Sequence, residues 1–220
     1  PVLTRTVHSK LFYKDSVFAD KLKVTNEAFP RYVPSARVHT FHRFLPYEVF
    51  YDKNPEYYAL RNGKRLPTQL CLTNTDVLKI VKDSVNSFFN KSPNSDVISV
   101  SQDDNTQYCQ CDKCSKIDNH EGSPAGTMIH FVNAVAESFP NKTISTLAYQ
   151  YTRKPPKVKP IENVLITLCS IECNRSVPIE LGCKDFSSDL KGWSQLTDNI
   201  RIWDYTTPVS YTHLTLPTTD

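Results

Sequence analysis

Carboxylate side chains follow two apolar segments of this chain at the point where each segment ends. Asp103 and Asp104 come after the apolar run 97–100, and Glu172 comes after the nearly continuous apolar segment 163–171. Hydrolysis of a glycosidic bond needs one carboxylic acid to protonate the leaving oxygen. It also needs a second carboxylate as nucleophile or as base for water. The sequence therefore indicates Asp103, Asp104 and Glu172 as candidate catalytic residues.

Glu172 is the candidate for the general acid. The apolar residues before it predict a buried backbone, and burial favours the protonated form of a carboxyl group. Asp103 or Asp104 would then supply the second carboxylate or orient a substrate group. The alternative is structural: these acids cap helices or pair with basic side chains, and Glu172 forms an ion pair with Arg175 or another basic residue.

A sugar ligand also needs aromatic and polar contacts, and both kinds of side chain occur near the ends of the same segments. Aromatic planes pack against the apolar faces of a sugar ring, while carboxylates, amides and imidazoles bind its hydroxyl groups. Packing inside the fold explains the aromatic residues equally well. On a strand, His39 and His42 would point to opposite faces, so that one of them faces the site. The candidate substrate-binding residues are Asp204, Trp203, Tyr149, Gln150, Asn105, His39 and Glu121.

Three cysteines form a compact C-x-C-x2-C pattern at Cys109, Cys111 and Cys114. This spacing allows three thiolates to bind one zinc ion, which prefers four tetrahedral ligands. A structural zinc ion that staples this loop is one expectation, and no cofactor is expected to be required for catalysis. One disulfide with a spare thiol, or reduced cysteines, are the alternatives. The candidates for a fourth ligand are Cys71, His120, Cys169, Cys173 and Cys183.

The apolar periodicity predicts strands and helices in alternation. This order is typical of parallel sheets with crossover helices, in which functional residues lie at the carboxyl ends of the strands. Helices are predicted over 74–90, 122–139 and 186–196, strands over 37–44, 96–101, 143–151, 163–172 and 200–205, and a long irregular stretch over 45–65.

The predicted fold class is α/β: a partial TIM-like (β/α)8 barrel of parallel strands with crossover helices, incomplete at both ends. The chain has 220 residues, whereas a complete barrel needs about 250. A doubly wound sheet is the alternative, but no glycine-rich phosphate loop follows a predicted strand. Residues 1–207 are expected to form the barrel fragment. By itself the fragment is expected to be unstable and inactive, because a barrel without its closing strands has an unpaired edge.

Residues 208–220 differ in character from the rest of the chain. They read PVSYTHLTLPTTD, which is rich in Thr and Pro and has no helical period. The part from Val209 to Leu214 matches the translation of a transposon-end sequencing adapter. We expect this tail to be non-native or disordered.

The composition excludes two classes of partner. The net charge is +3, with Lys and Arg scattered along the chain, so that no concentrated basic face for nucleic acid is expected. No segment approaches the run of about 18 apolar residues that a membrane-spanning helix needs.

Short matches run in order along most of the chain and resemble one bacterial family. They cover the residues 39–41, 54–65, 69–74, 99–105, the cysteine pattern, 121–126, 168–173 and 202–205. The sequence is thereby similar to the glycosidase-like family called domain of unknown function 4838, which is related to α-glucuronidases and to barrel hydrolases that remove N-acetylhexosamine. The resemblance implies a bacterial glycoside-hydrolase-like barrel involved in polysaccharide degradation. It also implies an extracytoplasmic location, as a periplasmic, secreted or lipid-anchored protein.

The residues and the resemblance together favour a glycoside hydrolase-like protein that acts on a polysaccharide or glycan through a pair of carboxylates. Its expected partner is a carbohydrate. One alternative is a non-catalytic barrel that binds glycans with the same aromatic residues. A second alternative is a metal-binding or redox protein centred on the C-x-C-x2-C loop.

Overall fold

The computed structural model of the protein describes residues 5–25, 27–174 and 176–205. The tail over 208–220 and Arg175 lie outside the described residues, so that the expectations for both stay predictions. In the part that is described, no helix is long and apolar enough to cross a membrane.

Helices and strands alternate through the second half of the described chain, as the periodicity predicts. Between β4 and β5 a turn of 3-10 helix, Gln150–Thr152, takes the place of an α-helix, and it ends β4 earlier than predicted; another such turn, Pro55–Tyr57, precedes β1. The α-helices are α1 (Lys10–Lys14), α2 (Ser16–Lys21), α3 (Phe41–Phe44), α4 (Tyr47–Phe50), α5 (Thr75–Lys91), α6 (Asp112–Glu121), α7 (Ala125–Ala136), α8 (Ile179–Gly182) and α9 (Lys184–Leu196). The strands are β1 (Tyr58–Arg61), β2 (Lys64–Leu70), β3 (Val97–Ser99), β4 (Thr143–Ala148), β5 (Val164–Cys169) and β6 (Ile200–Trp203).

A four-stranded parallel sheet in the order β3-β4-β5-β6 lies at the centre of the described residues. Its register pairs Ile144 with Val164 and Cys169 with Trp203. Each strand pairs with the next one in the chain, so that every crossover moves in the same direction across the sheet. The structure confirms the α/β class with parallel strands and intervening helices. The sheet is not closed, and β3 and β6 are its edges in the described part.

One face of the sheet packs against helices. Ile98, Ile144 and Ile166 share one apolar core with Val81 of α5 and Trp193 of α9. Because side chains alternate along a strand, their neighbours point to the opposite face.

Helix α5 shows why the sequence folds into these covering helices. Its N-cap residue Asn74 accepts hydrogen bonds from the amides of Asp76 and Val77, which have no partner inside the helix. Its apolar residues recur at helical spacing, so that they bury one face against the sheet. These buried residues are Val77, Val81, Val85 and Phe89.

The opposite face of the sheet carries polar and aromatic side chains. Ser99, Ser145 and Thr167 are buried there, and the hydroxyl oxygens of Ser145 and Thr167 lie 3.4 Å apart. Tyr149 and Trp203 extend this face at the carboxyl ends of β4 and β6, where they share a small apolar cluster.

A short stretch of chain over residues 28–32, which we call the N-terminal segment, contacts both edges of the open sheet. Tyr32 forms a parallel bridge with Val97 of β3. At the other edge, Arg201 of β6 donates a hydrogen bond of 2.6 Å to the carbonyl oxygen of Ala28, and its guanidinium lies 5.0 Å from the ring centroid of Phe29. The two edges therefore approach the same stretch of chain.

The prediction of a strand over 37–44 was wrong. Helix α3 occupies the second half of this range, and Phe41, Phe44 and Leu45 are all buried in the main core. Their spacing fits one face of a helical turn, and a strand would turn one of the three away from the core. The two histidines of the segment therefore do not alternate on a strand.

The prediction of an irregular stretch over 45–65 was also wrong. Helix α4 and the antiparallel hairpin of β1 and β2 fill most of it. The hairpin turns at Asn62 and Gly63, whose φ angles of 50° and 74° are both left-handed. Asn-Gly is the dipeptide that favours such a two-residue hairpin turn, so the signal was present in the sequence.

Helix α6 occupies a segment that the sequence analysis treats as part of the cysteine loop. Gly122, with a φ of 74°, ends it in the left-handed conformation that glycine favours after a helix. Asp118 of α6 accepts a hydrogen bond of 3.1 Å from the amide of Thr127 in the first turn of α7. Residues 122–124 form the tight turn that ends α6, so that α7 begins at Ala125, later than predicted.

Candidate functional site

Residues from three segments meet at the carboxyl edge of the parallel sheet. Tyr149 Oη donates a hydrogen bond of 3.1 Å to Asp104 Oδ1, and Gln150 Nε2 donates to Tyr149 Oη at 3.0 Å. The imidazole of His39 packs edge-on to the Tyr149 ring at a centroid distance of 6.1 Å. Four of the predicted site residues are therefore in one cluster.

The turn after β4 positions Tyr149 and Gln150. Thr152 Oγ1 accepts a hydrogen bond of 3.2 Å from the amide of Tyr149, and it also accepts one of 2.7 Å from Nε2 of the fully buried Gln102. Burial and the charge of Asp104 raise the pKa of Tyr149 to about 12. The Tyr149 hydroxyl therefore stays protonated at neutral pH and acts as a hydrogen-bond donor.

Two residues of this cluster have an unusual backbone conformation. His39 and Gln150 both have a φ of 51°, which side-chain-bearing residues adopt rarely. Such conformations cost energy and cluster at functional sites, although Lys23, Arg31 and Asn62 adopt them elsewhere in the described chain. In the described residues, three buried polar atoms in or beside the cluster have no hydrogen-bond partner: His42 Nδ1, Gln102 Oε1 and Gln150 Oε1.

A pair of stacked aromatic rings lies beside this cluster. Trp203 and Tyr205 are stacked, with their ring planes 12° apart and their centroids 5.9 Å apart. Between them in the chain, Asp204 accepts hydrogen bonds from Ser170 Oγ at 2.6 Å and from the amide of Tyr205 at 2.9 Å. Both contacts fix the Asp204 carboxylate on the same edge of the sheet.

Electrostatic effects connect Asp104 and Glu172 through one pair of side chains. Burial raises the pKa of Cys169 to about 12, and the charge of Glu172 contributes to this shift. Burial also raises the pKa of Tyr205, which interacts with Cys169 and with the charge of Asp104. The charges of Glu172 and Asp104 therefore act on neighbouring side chains, and the convergence of the strand-end acids on one site stays a prediction.

Glu172 itself is held in an ion pair. Arg153 Nη1 lies 3.2 Å from Glu172 Oε2, and Arg153 Nε lies 2.8 Å from Asp189 Oδ2. The Glu172 side chain is 44% exposed. The structure therefore contains the ion pair with a basic residue that was the alternative, while the role of Glu172 as general acid stays a prediction.

Asp103 faces a different group of residues from its neighbour Asp104. It lines an open cleft together with His39, His42 and Asn105, and its Oδ1 accepts a hydrogen bond of 3.3 Å from the amide of His42. Burial raises the pKa of Asp103, although the His42 amide partly offsets this effect. Asp103 is therefore the desolvated carboxyl group at this edge.

Glu121 has a structural position away from the cluster at the carboxyl edge. Its buried carboxylate accepts hydrogen bonds from the amides of Lys157 and Val158 at 2.9 and 2.8 Å, and His130 Nε2 lies 3.0 Å away. Burial alone would raise its pKa, but these three contacts together hold the pKa below the ordinary value. Glu121 thereby joins α6, α7 and the loop between β4 and β5.

The three cysteines of the C-x-C-x2-C pattern meet Cys71, which directly follows β2. The four sulfur atoms lie within 4.8 Å of one another, and those of Cys71 and Cys111 are 3.7 Å apart. Four thiolates around a zinc ion at about 2.3 Å would have sulfur atoms about 3.8 Å apart. We call Cys71, Cys109, Cys111 and Cys114 the four-cysteine centre, which could hold a metal ion.

Several groups around the four-cysteine centre suit bound thiolates. The amide of Leu60 donates to Cys109 Sγ at 3.4 Å, and the Thr73 hydroxyl lies 3.3 Å from Cys114 Sγ. Hydrogen bonds from Cys109 and Cys114 lower the pKa of Cys71, and contacts with Cys71 and Cys109 together with burial raise that of Cys114. Because four neighbouring thiolates repel one another, a cation is needed before all four can ionise.

The other predicted candidates for a fourth ligand lie elsewhere. Cys173 and Cys183 form a disulfide, Cys169 lies at the carboxyl edge, and the side chain of His120 is exposed. Two further neighbours of these sites lie on β2 and were not predicted from the sequence: Gln69, which bonds to Asp103, and Arg65, which interacts with Cys71. The signal in the sequence was the Asn-Gly turn, because the hairpin that it forms places the end of β2 beside Asp103 and Asn105.

No curated protein matches the chain. One family model, described as Domain of unknown function (DUF4838), matches residues 4–220. The match covers nearly the whole sequence, as the ordered short motifs predict, and the chain belongs to this family.

Proposed function

We propose that this chain is part of a glycoside hydrolase-like protein that binds and cleaves a glycan at the carboxyl edge of its sheet. The observation that carries the proposal is the cluster of Asp104, Tyr149, Gln150 and His39 beside the Trp203–Tyr205 stack. A stacked aromatic surface suits a sugar face, and the carboxylate and amide suit its hydroxyl groups.

Asp103 is the proton donor in this proposal. Its burial favours the protonated form, which a general acid needs, and His39 contacts both its cleft and the Asp104 cluster. Asp104 supplies the second carboxylate, oriented by Tyr149 and Gln150. Glu172, with Arg153, binds hydroxyl groups of the sugar. A separation of about 5–5.5 Å between the two acids in the complex would give retention of configuration, and about 6.5–9.5 Å inversion.

The proposal also includes a barrel-like curvature of the open sheet. Successive strands are neighbours, and residues at both sheet edges contact the same N-terminal segment, as expected for strands that curve around a common axis. We therefore infer a partial TIM-like barrel, whose active sites lie at the carboxyl ends of the strands.

A non-catalytic glycan-binding protein is the second candidate, and the ion pair of Glu172 favours it. Glu172 is bound by Arg153, and Asp104 already accepts hydrogen bonds from Tyr149 and Gln150. Acids that are engaged in this way can hold sugar hydroxyls without transferring a proton.

Zinc is the metal we propose for the four-cysteine centre. Four thiolates are soft ligands in the tetrahedral set that structural zinc sites use, and a closed set leaves no open position for a substrate. The residues that would hold the ion are Cys71, Cys109, Cys111 and Cys114. An extracytoplasmic location also stays a proposal, and the Cys173–Cys183 disulfide supports it because disulfides persist in oxidising compartments.

The test is a hydrolysis screen of the longest natural open reading frame that carries these residues. The substrates are aryl glycosides, including glucuronides and N-acetylhexosaminides. The variants Asp103→Asn and Asp104→Asn are each expected to lower kcat by about 10²–10⁴-fold. Glu162→Gln, an exposed acid elsewhere, serves as the control and is expected to keep full activity.

The outcomes separate the two candidates. Binding of a glycan without turnover in any preparation would support the non-catalytic protein. Turnover that survives both aspartate substitutions would refute the proposed carboxylate pair.

A further inference from the structure

The segment 102–111, which carries Asp103 and Asp104, lies beside the β1–β2 hairpin. Gln69 of β2 forms hydrogen bonds with the first residues of this segment. Gln69 Nε2 donates to the carbonyl oxygens of Asp103 at 2.7 Å and Asn105 at 3.0 Å, and Gln69 Oε1 accepts from the amide of Asp103 at 3.1 Å. Gln69 is only 2% exposed, so that water does not compete for these bonds. The backbone beside both acids is therefore fixed to β2.

The middle of the same segment has weaker attachments to the hairpin. Thr68 Oγ1 donates to the carbonyl oxygen of Gln107 at 3.2 Å, and Arg61 Nη1 donates to that of Tyr108 at 3.2 Å. The bond from Thr68 is exposed, and water can replace such a bond at little cost. Tyr108 is held more firmly, because the Arg61 guanidinium lies 5.4 Å from its ring centroid and its ring stacks on that of Tyr151 at 4.7 Å.

The four-cysteine centre holds the other end of the segment. Cys71 lies just beyond Gln69 at the end of β2, Cys109 and Cys111 lie in the segment, and Cys114 lies in the first turn of α6. A metal ion bound by all four thiolates would join β2, the acidic segment and α6 at one point. Without the ion, this end keeps the thiol contacts, the backbone hydrogen bond from Gln110 to Leu60 and the hydrogen bond of 3.3 Å from Thr127 Oγ1 to the carbonyl oxygen of Cys114.

We propose that metal binding at the four-cysteine centre positions Asp103 and Asp104 at the carboxyl edge. This inference rests on the proposed zinc centre and on the proposed role of the two acids. Between its two fixed points, Gln69 and the metal, the segment has little freedom, so that Asp104 stays within reach of Tyr149. The four cysteines are then positioning residues, since they act on the site through the backbone between them and the acids.

The experiment compares the full chain before and after removal of its metal. Metal content is measured by elemental analysis, Co²⁺ substitution reports tetrahedral thiolate ligation by its absorption, and hydrogen–deuterium exchange reports the order of each segment. We expect one zinc ion per chain. Its removal should speed amide exchange over residues 102–111 on the order of tenfold, while exchange in β4 and β5 stays unchanged.

Single substitutions test the same inference without a chelator. Cys71→Ser is expected to lose the metal and to show the faster exchange. If this variant does not fold, Cys111→Ser replaces it, because Cys111 is only partly buried and serine is a good N-cap for α6. The matched control Cys169→Ser removes a buried free cysteine outside the centre and is expected to keep the metal.

Gln69→Ala tests the other fixed point. It is expected to keep the metal and the Co²⁺ spectrum, and to speed exchange near Asp103 and Asn105 alone. A chain that binds no metal would overturn both the zinc proposal and this inference. A chain that binds zinc but shows the same exchange over 102–111 after its removal would overturn this inference only. Failure to hydrolyse any glycoside would count against the proposed function and leave the metal measurements valid.

Discussion

Asp103 and Asp104 are adjacent in the chain and have different surroundings. Asp104 is exposed and bonded to Tyr149, whereas Asp103 lies against His42 and the end of β2. The sequence predicted two acids at the end of a strand. It could not predict which one is desolvated, because the groups that cover Asp103 come from helix α3, which was predicted as a strand, and from the end of β2, for which no element was predicted.

The raised pKa of Asp103 predicts that its charge destabilises the fold. Where a carboxyl pKa is higher in the folded state, the ionised group costs stability; this cost grows as the pH rises from the unfolded pKa of about 3.9 and is constant above the folded pKa. Asp103→Asn should therefore stabilise the protein at pH 7, by about 0.5–2 kcal/mol. Urea unfolding at pH 7 and at pH 4 measures this, and the gain should shrink at pH 4. A loss of stability at pH 7 would contradict the assignment of Asp103 as a desolvated acid.

Helices α6 and α7 are joined by a short turn whose residues fit each other closely. A Cβ atom on Gly126 would lie 2.4 Å from both Cβ and Cγ of Glu121. The Glu121 carboxylate in turn binds the loop after β4. The sequence predicted the helix after Gly122 but placed Glu121 at a sugar site, because an acid in a polar segment gives no local sign of what it bonds to.

Glu121 should stabilise the fold in a pH-dependent way. Its folded pKa is below the ordinary glutamate value of about 4.3, so that its stabilisation is present above that value and is lost as the pH falls through the folded pKa. Glu121→Gln is expected to cost about 1–3 kcal/mol at pH 7, and less as the pH falls below about 4. Chemical unfolding across this range measures it, with the exposed Glu137→Gln as control. An equal loss at every pH would show that the charge of Glu121 plays no part.

Gly126→Ala should destabilise the chain although alanine favours helices. Helix propensity alone predicts a gain of about 1 kcal/mol, but the clash with Glu121 forces α6 and α7 apart and should cost about 1–3 kcal/mol. Thermal unfolding gives the sign. The comparison is Ala134→Gly on the same helix, which should lose about 1 kcal/mol through propensity. A higher melting temperature for Gly126→Ala would mean that the two helices are not in close contact.

The whole molecule is organised around a sheet whose two edges contact one N-terminal segment. Arg201 makes this link at β6: it bonds to Ala28 and Thr6, which are far from it in the sequence, and it packs on Phe29 and Tyr32. The order of strands and helices was predicted from local periodicity. The link through Arg201 was not, because a single arginine in a strand has no partner that its neighbours in the sequence reveal.

Arg201→Lys should release the N-terminal segment. Lysine keeps the charge, but it lacks the planar fork that bonds two groups while it stacks on aromatic rings. We expect a loss of about 1–3 kcal/mol and faster hydrogen exchange over residues 28–33 and in β3. Exchange measured by mass spectrometry checks this, with the exposed Arg5→Lys as control. Unchanged exchange in β3 would show that the two sheet edges are not coupled through this segment.

By itself the sequence determined the alternating parallel strands and helices, the acids and aromatic residues at the strand ends, and three of the four cysteines. These features follow from apolar periodicity and short spacings, which are local and can be read from a few neighbouring residues. The tertiary structure alone decided that Cys71 is the fourth cysteine, that Glu172 pairs with Arg153 and that Glu121 joins two helices. Each of these depends on a contact between distant segments, and such a contact exists only after the strands, the hairpin and the helices have packed together.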